Sequence, residues 1–166
     1  MIKMTHTTIQ IMQQAAEDAN AAFNNDDYQG AVECYRKALH LCDSLPVDTA
    51  FNKDRFEAIV YSGLSAAFGR QGKHMDSFAA ANKALVLFDQ IDQLDAMETG
   101  RYLTAQVNQG IALATLGCLP AALDALHKAK EFFNHKGLDP NKNKQWLDMV
   151  EGNIEAINKQ IKKHQK

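Results

Sequence analysis

A pattern of small residues recurs three times along this chain and limits the folds that the chain can adopt. In each copy, a short polar or glycine-containing turn leads into two small residues seven positions apart, and a lysine precedes the second one. The three pairs are Ala31 and Ala38, Ser77 and Ala84, and Ala122 and Ala129. Seven residues span about two helical turns, so each pair lies on one stripe of a helix. Further small residues lie upstream of each turn, where a preceding helix would cross: Ala19, Ser65 and Gly110. The pattern predicts three helix hairpins.

The composition also favours helices. The chain has 166 residues with only three prolines and nine glycines. Few residues therefore interrupt its helical segments. We predict an all-α fold and a single domain over residues 1–166.

The repeated pattern resembles that of the tetratricopeptide repeat (TPR) family. The first copy is the best match, with Ala19, Asp27-Tyr28, Ala31, Tyr35 and Ala38 in register. The resemblance covers roughly residues 10–135 and implies a right-handed superhelix of helix hairpins. Successive copies lie 46 and 45 residues apart, against about 34 in the common repeat. Longer helices are therefore expected, as in the extended-repeat subclass of the family.

Apolar spacing and stop signals predict where the helices lie. We expect hairpins over about 7–44, 50–92 and 96–135, made of helices near 7–24, 28–44, 50–71, 74–92, 96–117 and 119–135. A seventh helix is expected over 140–164, with Gly137 ending the preceding helix, Asp139 as its cap and Pro140 in its first turn. It would cap the end of the superhelix. Trp146 is interpreted as a core anchor of this cap, with partner binding as the alternative.

Charge and motifs argue against several functions. The formal net charge of −2 provides no general field for nucleic acid or an anionic membrane surface. No catalytic signature is present, and no two histidines have the spacing of a metal pair on a helix. We therefore expect no enzymatic activity, no cofactor and no metal. The N-terminal residues lack a secretory pattern, which leads us to expect a cytoplasmic protein with reduced thiols.

The TPR resemblance implies that the first helix of each hairpin lines a concave groove. Carried onto this sequence, the candidate partner-binding residues are Gln13, Asn20, Phe23, Asn24, Ile59, Ser62, Gly63, Ala66, Arg70, Arg101, Thr104, Val107, Asn108 and Ile111. One branch of the family clamps a C-terminal carboxylate, and the corresponding positions here are Ala16, Asn20, Gly63, Thr104 and Asn108. Only Asn20 matches that branch, so carboxylate clamping is disfavoured. We expect a neutral groove with a floor of small residues, in which Gly63 accepts a large side chain without loss of the fold.

These observations predict an interaction module rather than an enzyme. The leading hypothesis is an adaptor or assembly chaperone that binds a polypeptide segment or a subunit surface through the groove. A peptide-sensing regulator and a self-assembling structural repeat remain alternatives, and a homo-oligomer is possible. The longer helices also leave open whether the groove is accessible or is filled by the protein's own side chains.

Overall fold

The computed structural model describes the chain from Met1 to Lys166, apart from the side chain of Ile2. Seven helices follow one another, and the described residues include no strand. Their bounds are α1 (Ile2–Asn24), α2 (Tyr28–Asp43), α3 (Lys53–Arg70), α4 (His74–Phe88), α5 (Ala96–Thr115), α6 (Leu119–His135) and α7 (Lys144–His164). Helices α1 and α2, α3 and α4, and α5 and α6 form three stacked hairpins, and α7 packs on α6 and α5. The predicted all-α, TPR-like architecture is confirmed.

The small-residue stripes lie at the crossings of the helix hairpins. All three predicted pairs are buried, with at most 1% of any residue exposed. Gly110 shows how close the helices come, because a Cβ atom placed there would lie 2.9 Å from the Leu126 side chain and 3.3 Å from the Ala122 carbonyl oxygen. A larger residue at such a crossing would force the two helices apart.

Polar contacts of α3 fix the middle of the stack. The Ser77 hydroxyl on α4 donates to the Ser65 carbonyl oxygen at 2.8 Å, within the second hairpin. The Ser62 hydroxyl donates to the Arg101 carbonyl oxygen at 2.6 Å, and the Asn108 amide donates to the Ser65 hydroxyl at 3.2 Å. These bonds satisfy buried polar groups and join α3 to both α4 and α5.

An ion pair joins the beginnings of α3 and α5. The Arg55 guanidinium donates to both carboxylate oxygens of Glu98 at 2.7 Å, and to the Gln93 carbonyl oxygen at 3.0 Å. Glu98 also accepts from the backbone of Asp95, whose own carboxylate accepts from the Glu98 backbone, so the two residues form a capping box at the start of α5. The second and third hairpins are thereby aligned at this end.

The seventh helix begins later than the sequence predicts. Gly137 has a φ of +63° directly after α6 and helps to end that helix, as expected. However, the Asp139 carboxylate accepts from the backbone N–H groups of Asn141 and Lys142, which forms a turn. Pro140 lies in this turn, so the predicted start at residue 140 is wrong and α7 begins at Lys144.

Three other predicted boundaries differ from the structure. The first helix already begins at Ile2, well before the predicted residue 7. The second hairpin spans 53–88 rather than 50–92, because the Asn52 side chain caps α3 by accepting from the Arg55 backbone, and α4 ends at Phe88. Helix ends have weaker sequence signals than helix interiors, which carry the apolar periodicity.

The cap helix α7 is held by a narrow apolar face. Val150 and Ile157 are buried, and the Trp146 ring stacks on Phe133 of α6 with ring centroids 5.1 Å apart. The interpretation of Trp146 as an anchor of the cap agrees with this contact. Helix α7 therefore covers apolar surface that the third hairpin would otherwise expose.

We predict that Ala84→Phe destabilises the protein by about 1–3 kcal/mol, because the ring would overpack the crossing of α3 and α4. Ala79→Phe is the matched control, since Ala79 is exposed on the same helix. Urea unfolding monitored by circular dichroism measures both variants. Equal midpoints for the two variants would contradict the assigned crossing.

We also predict that ending the chain at Leu138 lowers the melting temperature and promotes association. The truncation removes the buried side chains of Val150 and Ile157, each worth about 1.5–3 kcal/mol of burial, and uncovers their apolar contacts on α6. A chain ending at Asn158 keeps both residues and serves as the control. Thermal melting and light scattering compare the two, and a monomeric Leu138 truncation with an unchanged midpoint would make α7 an accessory element.

Candidate functional site

A cavity of about 780 Å³ lies on the concave side of the superhelix. Helices α1, α3 and α5 contribute most of its lining, and α7 contributes three further residues. We call this space the concave cavity. Its volume lies within the range of about 300–1,000 Å³ that is typical of ligand sites, so the protein's own side chains leave room in the groove.

Eleven of the fourteen candidate residues line the concave cavity. They are Asn20, Phe23, Asn24, Gly63, Ala66, Arg70, Arg101, Thr104, Val107, Asn108 and Ile111. The residues chosen from the TPR groove positions thus come from three separate hairpins and meet at the concave cavity. Whether these residues bind a partner stays a prediction.

The other three candidates lie elsewhere. Gln13 is exposed, one turn or more before the part of α1 that reaches the cavity. Ile59 packs in the core near Ala58 and Leu85, and Ser62 is buried with its hydroxyl bonded to α5. Ile59 and Ser62 thus belong to packing within the stack, whereas Gln13 faces solvent.

Sequence analysis missed several lining residues, and it considered partner binding by Trp146 only as an alternative. Met149 and Asn153 lie with Trp146 along one face of α7, at spacings of three and four residues. Tyr35, His74 and Ser77 come from the second helices of the first two hairpins. The α7 residues have no counterpart in the repeat, so only their common helical face could have indicated them. Trp146 therefore both anchors the cap and lines the cavity.

Gly63 is not an open floor position, and the prediction that it accepts a large side chain is wrong. Gly63 is buried against the ring and hydroxyl of Tyr35, which occupy the place of a side chain at this position. Tyr35 itself is only 2% exposed. The glycine thus makes space for an aromatic residue of the neighbouring helix, and the accessible floor consists of Ala66 and Gly69.

A hydrogen-bonded chain of three side chains crosses one end of the concave cavity. The Tyr35 hydroxyl donates to the Asn20 side-chain oxygen at 2.6 Å, and Arg101 donates to the same oxygen through Nη2 at 2.8 Å. Burial raises the pKa of Tyr35, and the Arg101 guanidinium opposes this shift more weakly. Tyr35 therefore stays a protonated donor at neutral pH, and Asn20 positions the guanidinium.

The charge of the concave cavity differs from the expected neutral groove. Arg70 and Arg101 both line the cavity, while no aspartate or glutamate occurs among its described lining residues. Although the whole chain carries a formal charge of −2, this surface is locally positive. This positive charge comes from Arg70 and Arg101, which do not occupy clamp positions. Of the residues that form the carboxylate clamp, only Asn20 is present.

The cysteines lie outside this site. Burial, followed by the effect of the Glu57 carboxylate, raises the pKa of Cys42 to about 12, so its thiol is protonated at neutral pH. Cys118 is exposed at the start of α6, and none of the three cysteines lines the concave cavity. The cavity is therefore better suited to non-covalent binding than to thiol chemistry.

Comparison with known proteins places the chain in a family. Residues 7–145 match the model of the family described as Domain of Unknown Function (DUF3856). The chain belongs to this family. The matched range includes all three hairpins and the beginning of α7, so it contains the residues from α1, α3 and α5 that line the cavity.

Solved structures support the TPR resemblance at the level of the fold. A TPR-like protein from Chlorobium tepidum TLS superposes with a TM-score of 0.85 at 20% identity, over 93% of this chain and 98% of that one. The TPR2B domain of yeast Sti1, solved in a complex with pHsp70, gives a TM-score of 0.66 at 14% identity, over 91% of this chain and 98% of that one. The predicted TPR-like fold is confirmed by these structures.

One curated relative is similar in part of its sequence. Protein unc-45 homolog B from Xenopus laevis is 32% identical over 72 residues, which is 43% of this chain. The match spans 7% of that protein's length. Among the described residues of our chain, no helix has the length and apolar character needed to span a membrane.

We predict that Gly63→Ala destabilises the protein by about 1–3 kcal/mol, because a methyl group would displace the buried Tyr35 ring and strain its bond to Asn20. Gly100→Ala is the control. It lies in helix α5 with open space around it, and replacing this helical glycine should stabilise by about 0.5–1 kcal/mol. Chemical unfolding measures the free energy of unfolding of both variants. If this free energy changed in the same direction in both, the Tyr35 ring would not restrict the side chain at position 63.

Proposed function

We propose that this chain is a polypeptide-binding module, acting as an adaptor or assembly chaperone, and that the concave cavity is its binding site. The observation that carries the proposal is the accessible space of about 780 Å³ on the concave side, lined by residues from all three hairpins and the cap. A site assembled from several helices suits an elongated ligand that contacts more than one of them at once.

The lining suits the chemistry of a peptide. Phe23 and Ile111, which are only partly buried, offer apolar surface that can bury bulky side chains of a bound segment. Asn24 and Asn153 add amide groups, which both donate and accept hydrogen bonds and can satisfy the polar backbone of such a segment. Because Ala66 and Gly69 project little into the space, the ligand can approach the backbone of α3.

The cap helix contributes an adaptable wall to the proposed site. Met149 is 42% exposed although it lines the concave cavity, and its unbranched side chain can adjust to ligands of different shape. Trp146 presents an aromatic surface beside it while being held on Phe133. Binding would cover part of this exposed apolar surface.

A peptide array tests the proposal. The probe is a set of random ten-residue peptides, acetylated at the N-terminus and amidated at the C-terminus, incubated with the purified chain. We expect the chain to bind a subset of peptides, and Ala66→Trp to weaken their binding at least tenfold by filling the cavity. Ala21→Trp, at an exposed position of α1, is the control and should bind as the wild type does.

Two results would contradict the proposal. One is the absence of any peptide binding by the folded wild-type chain in solution. The other is equal binding by the wild type and by Ala66→Trp, which would place the binding surface outside the concave cavity. Circular dichroism verifies that both tryptophan variants remain helical.

A further inference from the structure

Two arginines of this protein are partly buried, but only one of them has a carboxylate partner. Arg55 pairs with Glu98 through two short hydrogen bonds. Arg101, which is half-buried at the concave cavity, makes no salt bridge with any described residue. A guanidinium that has lost part of its hydration is normally paired with an anion. Arg101 thus has a charge for which the folded chain supplies no counter-charge.

The geometry of Arg101 leaves most of its donors unused. A guanidinium has five N–H donors, and one Nη2 group donates to the Asn20 side-chain oxygen. The Tyr35 hydroxyl also lies close enough for the guanidinium to interact with it and to oppose the rise of its pKa that burial causes. This still leaves several N–H donors of Arg101 without a partner among the described residues. Tyr35 donates to the same Asn20 oxygen, so the amide is held from two sides and in turn fixes the guanidinium. Arg101 is pre-positioned toward a cavity that contains no aspartate or glutamate.

We propose that Arg101 binds the carboxylate of an aspartate or glutamate side chain within the bound polypeptide segment. This inference rests on the proposed function and names the feature that the segment must contain. Arg70, exposed at the C-terminal end of α3 and also lining the cavity, adds a second positive charge that attracts the acidic residue. The clamp positions that bind a C-terminal carboxylate in the TPR family carry no charged residue in this chain. The ligand of Arg101 is therefore an acidic side chain within the segment and not the end of a chain.

A carboxylate fits this site better than a phosphate group. One half-buried guanidinium balances the single charge of a carboxylate and can bind its two oxygens with parallel hydrogen bonds. A phosphate carries about −1.5 to −2 charges and is usually recognised by a cluster of arginines. Arg70 is exposed, and only Arg101 donates to the Asn20 oxygen that also binds Tyr35, so a single cation is preorganised.

The neighbouring side chains define the rest of the motif. Ile111 on α5 and Phe23 on α1 line the same cavity as Arg101, and both are only partly buried. A segment with an acidic residue on Arg101 would therefore meet apolar surface of two helices elsewhere in the cavity. The favoured segment combines one acidic residue with bulky apolar residues close by.

The first experiment uses small probes and the wild-type chain. N-acetyl-aspartate N-methylamide, its asparagine analogue and inorganic phosphate are titrated while NMR follows the arginine side-chain Nε–H signals. We expect the aspartate compound to shift the Arg101 signal in a saturable manner and the asparagine compound to leave it unchanged. Equal effects of both compounds, or saturation by phosphate alone, would overturn the proposal.

The second experiment uses end-blocked peptides captured by the array, each paired with a version in which Asp or Glu is replaced by Asn or Gln. We expect the amide versions to bind the wild type at least tenfold more weakly. Arg101→Gln should remove this difference, and Arg101→Lys should restore only part of it because a lysine lacks the planar fork. Arg36→Gln, which removes one exposed positive charge outside the cavity, should leave the difference intact.

The outcomes separate this inference from the proposed function. If Ala66→Trp abolishes peptide binding but acidic and amide peptides bind equally, the cavity binds polypeptide and the acidic specificity is wrong. If acidic peptides are preferred equally by the wild type and by Arg101→Gln, another cation is responsible and the assignment to Arg101 is wrong. The comparison of paired peptides on the wild type does not depend on how well the Arg101 variants fold.

Discussion

The close approach of helices at small residues is the constraint on which the rest of the structure depends. At each hairpin crossing, alanine, serine or glycine allows two backbones to come near enough for their neighbouring side chains to interlock. Helical propensity alone would give helices that do not pack on one another, whereas these crossings determine how the helices pair into hairpins. The resulting stack brings α1, α3 and α5 to the concave cavity, to which they contribute most of the lining residues.

Most of the fold could be predicted from the sequence because its signals are repeated and local. A pair such as Ala31 and Ala38 predicts a buried stripe from spacing alone, and three such pairs predict the order of the hairpins. The start of α7 could not be placed correctly, since Asp139 and Pro140 are as compatible with a turn as with a helix start. The choice depended on which backbone N–H groups donate to the Asp139 carboxylate, and the sequence does not reveal this.

The candidate site could be predicted less completely, for two physical reasons. The space at Gly63 depends on Tyr35, a residue 28 positions earlier whose ring direction no spacing rule provides. The charge of the cavity depends on which charged residues are absent from one surface, whereas the net charge averages over the whole chain. Asn20 shows the same limit, because its match to a clamp position gave no indication that its oxygen is already occupied by Tyr35 and Arg101.

The bond between Arg101 and Asn20 also has a mechanical consequence, because it spans 81 positions of sequence and joins the first hairpin to the third. The guanidinium therefore links these two hairpins and also faces the cavity. A ligand that drew it away from Asn20 would break this link and would allow the curvature of the stack to change. Occupancy of the cavity would then be transmitted as a change of shape to α6, which contributes no residue to the cavity lining.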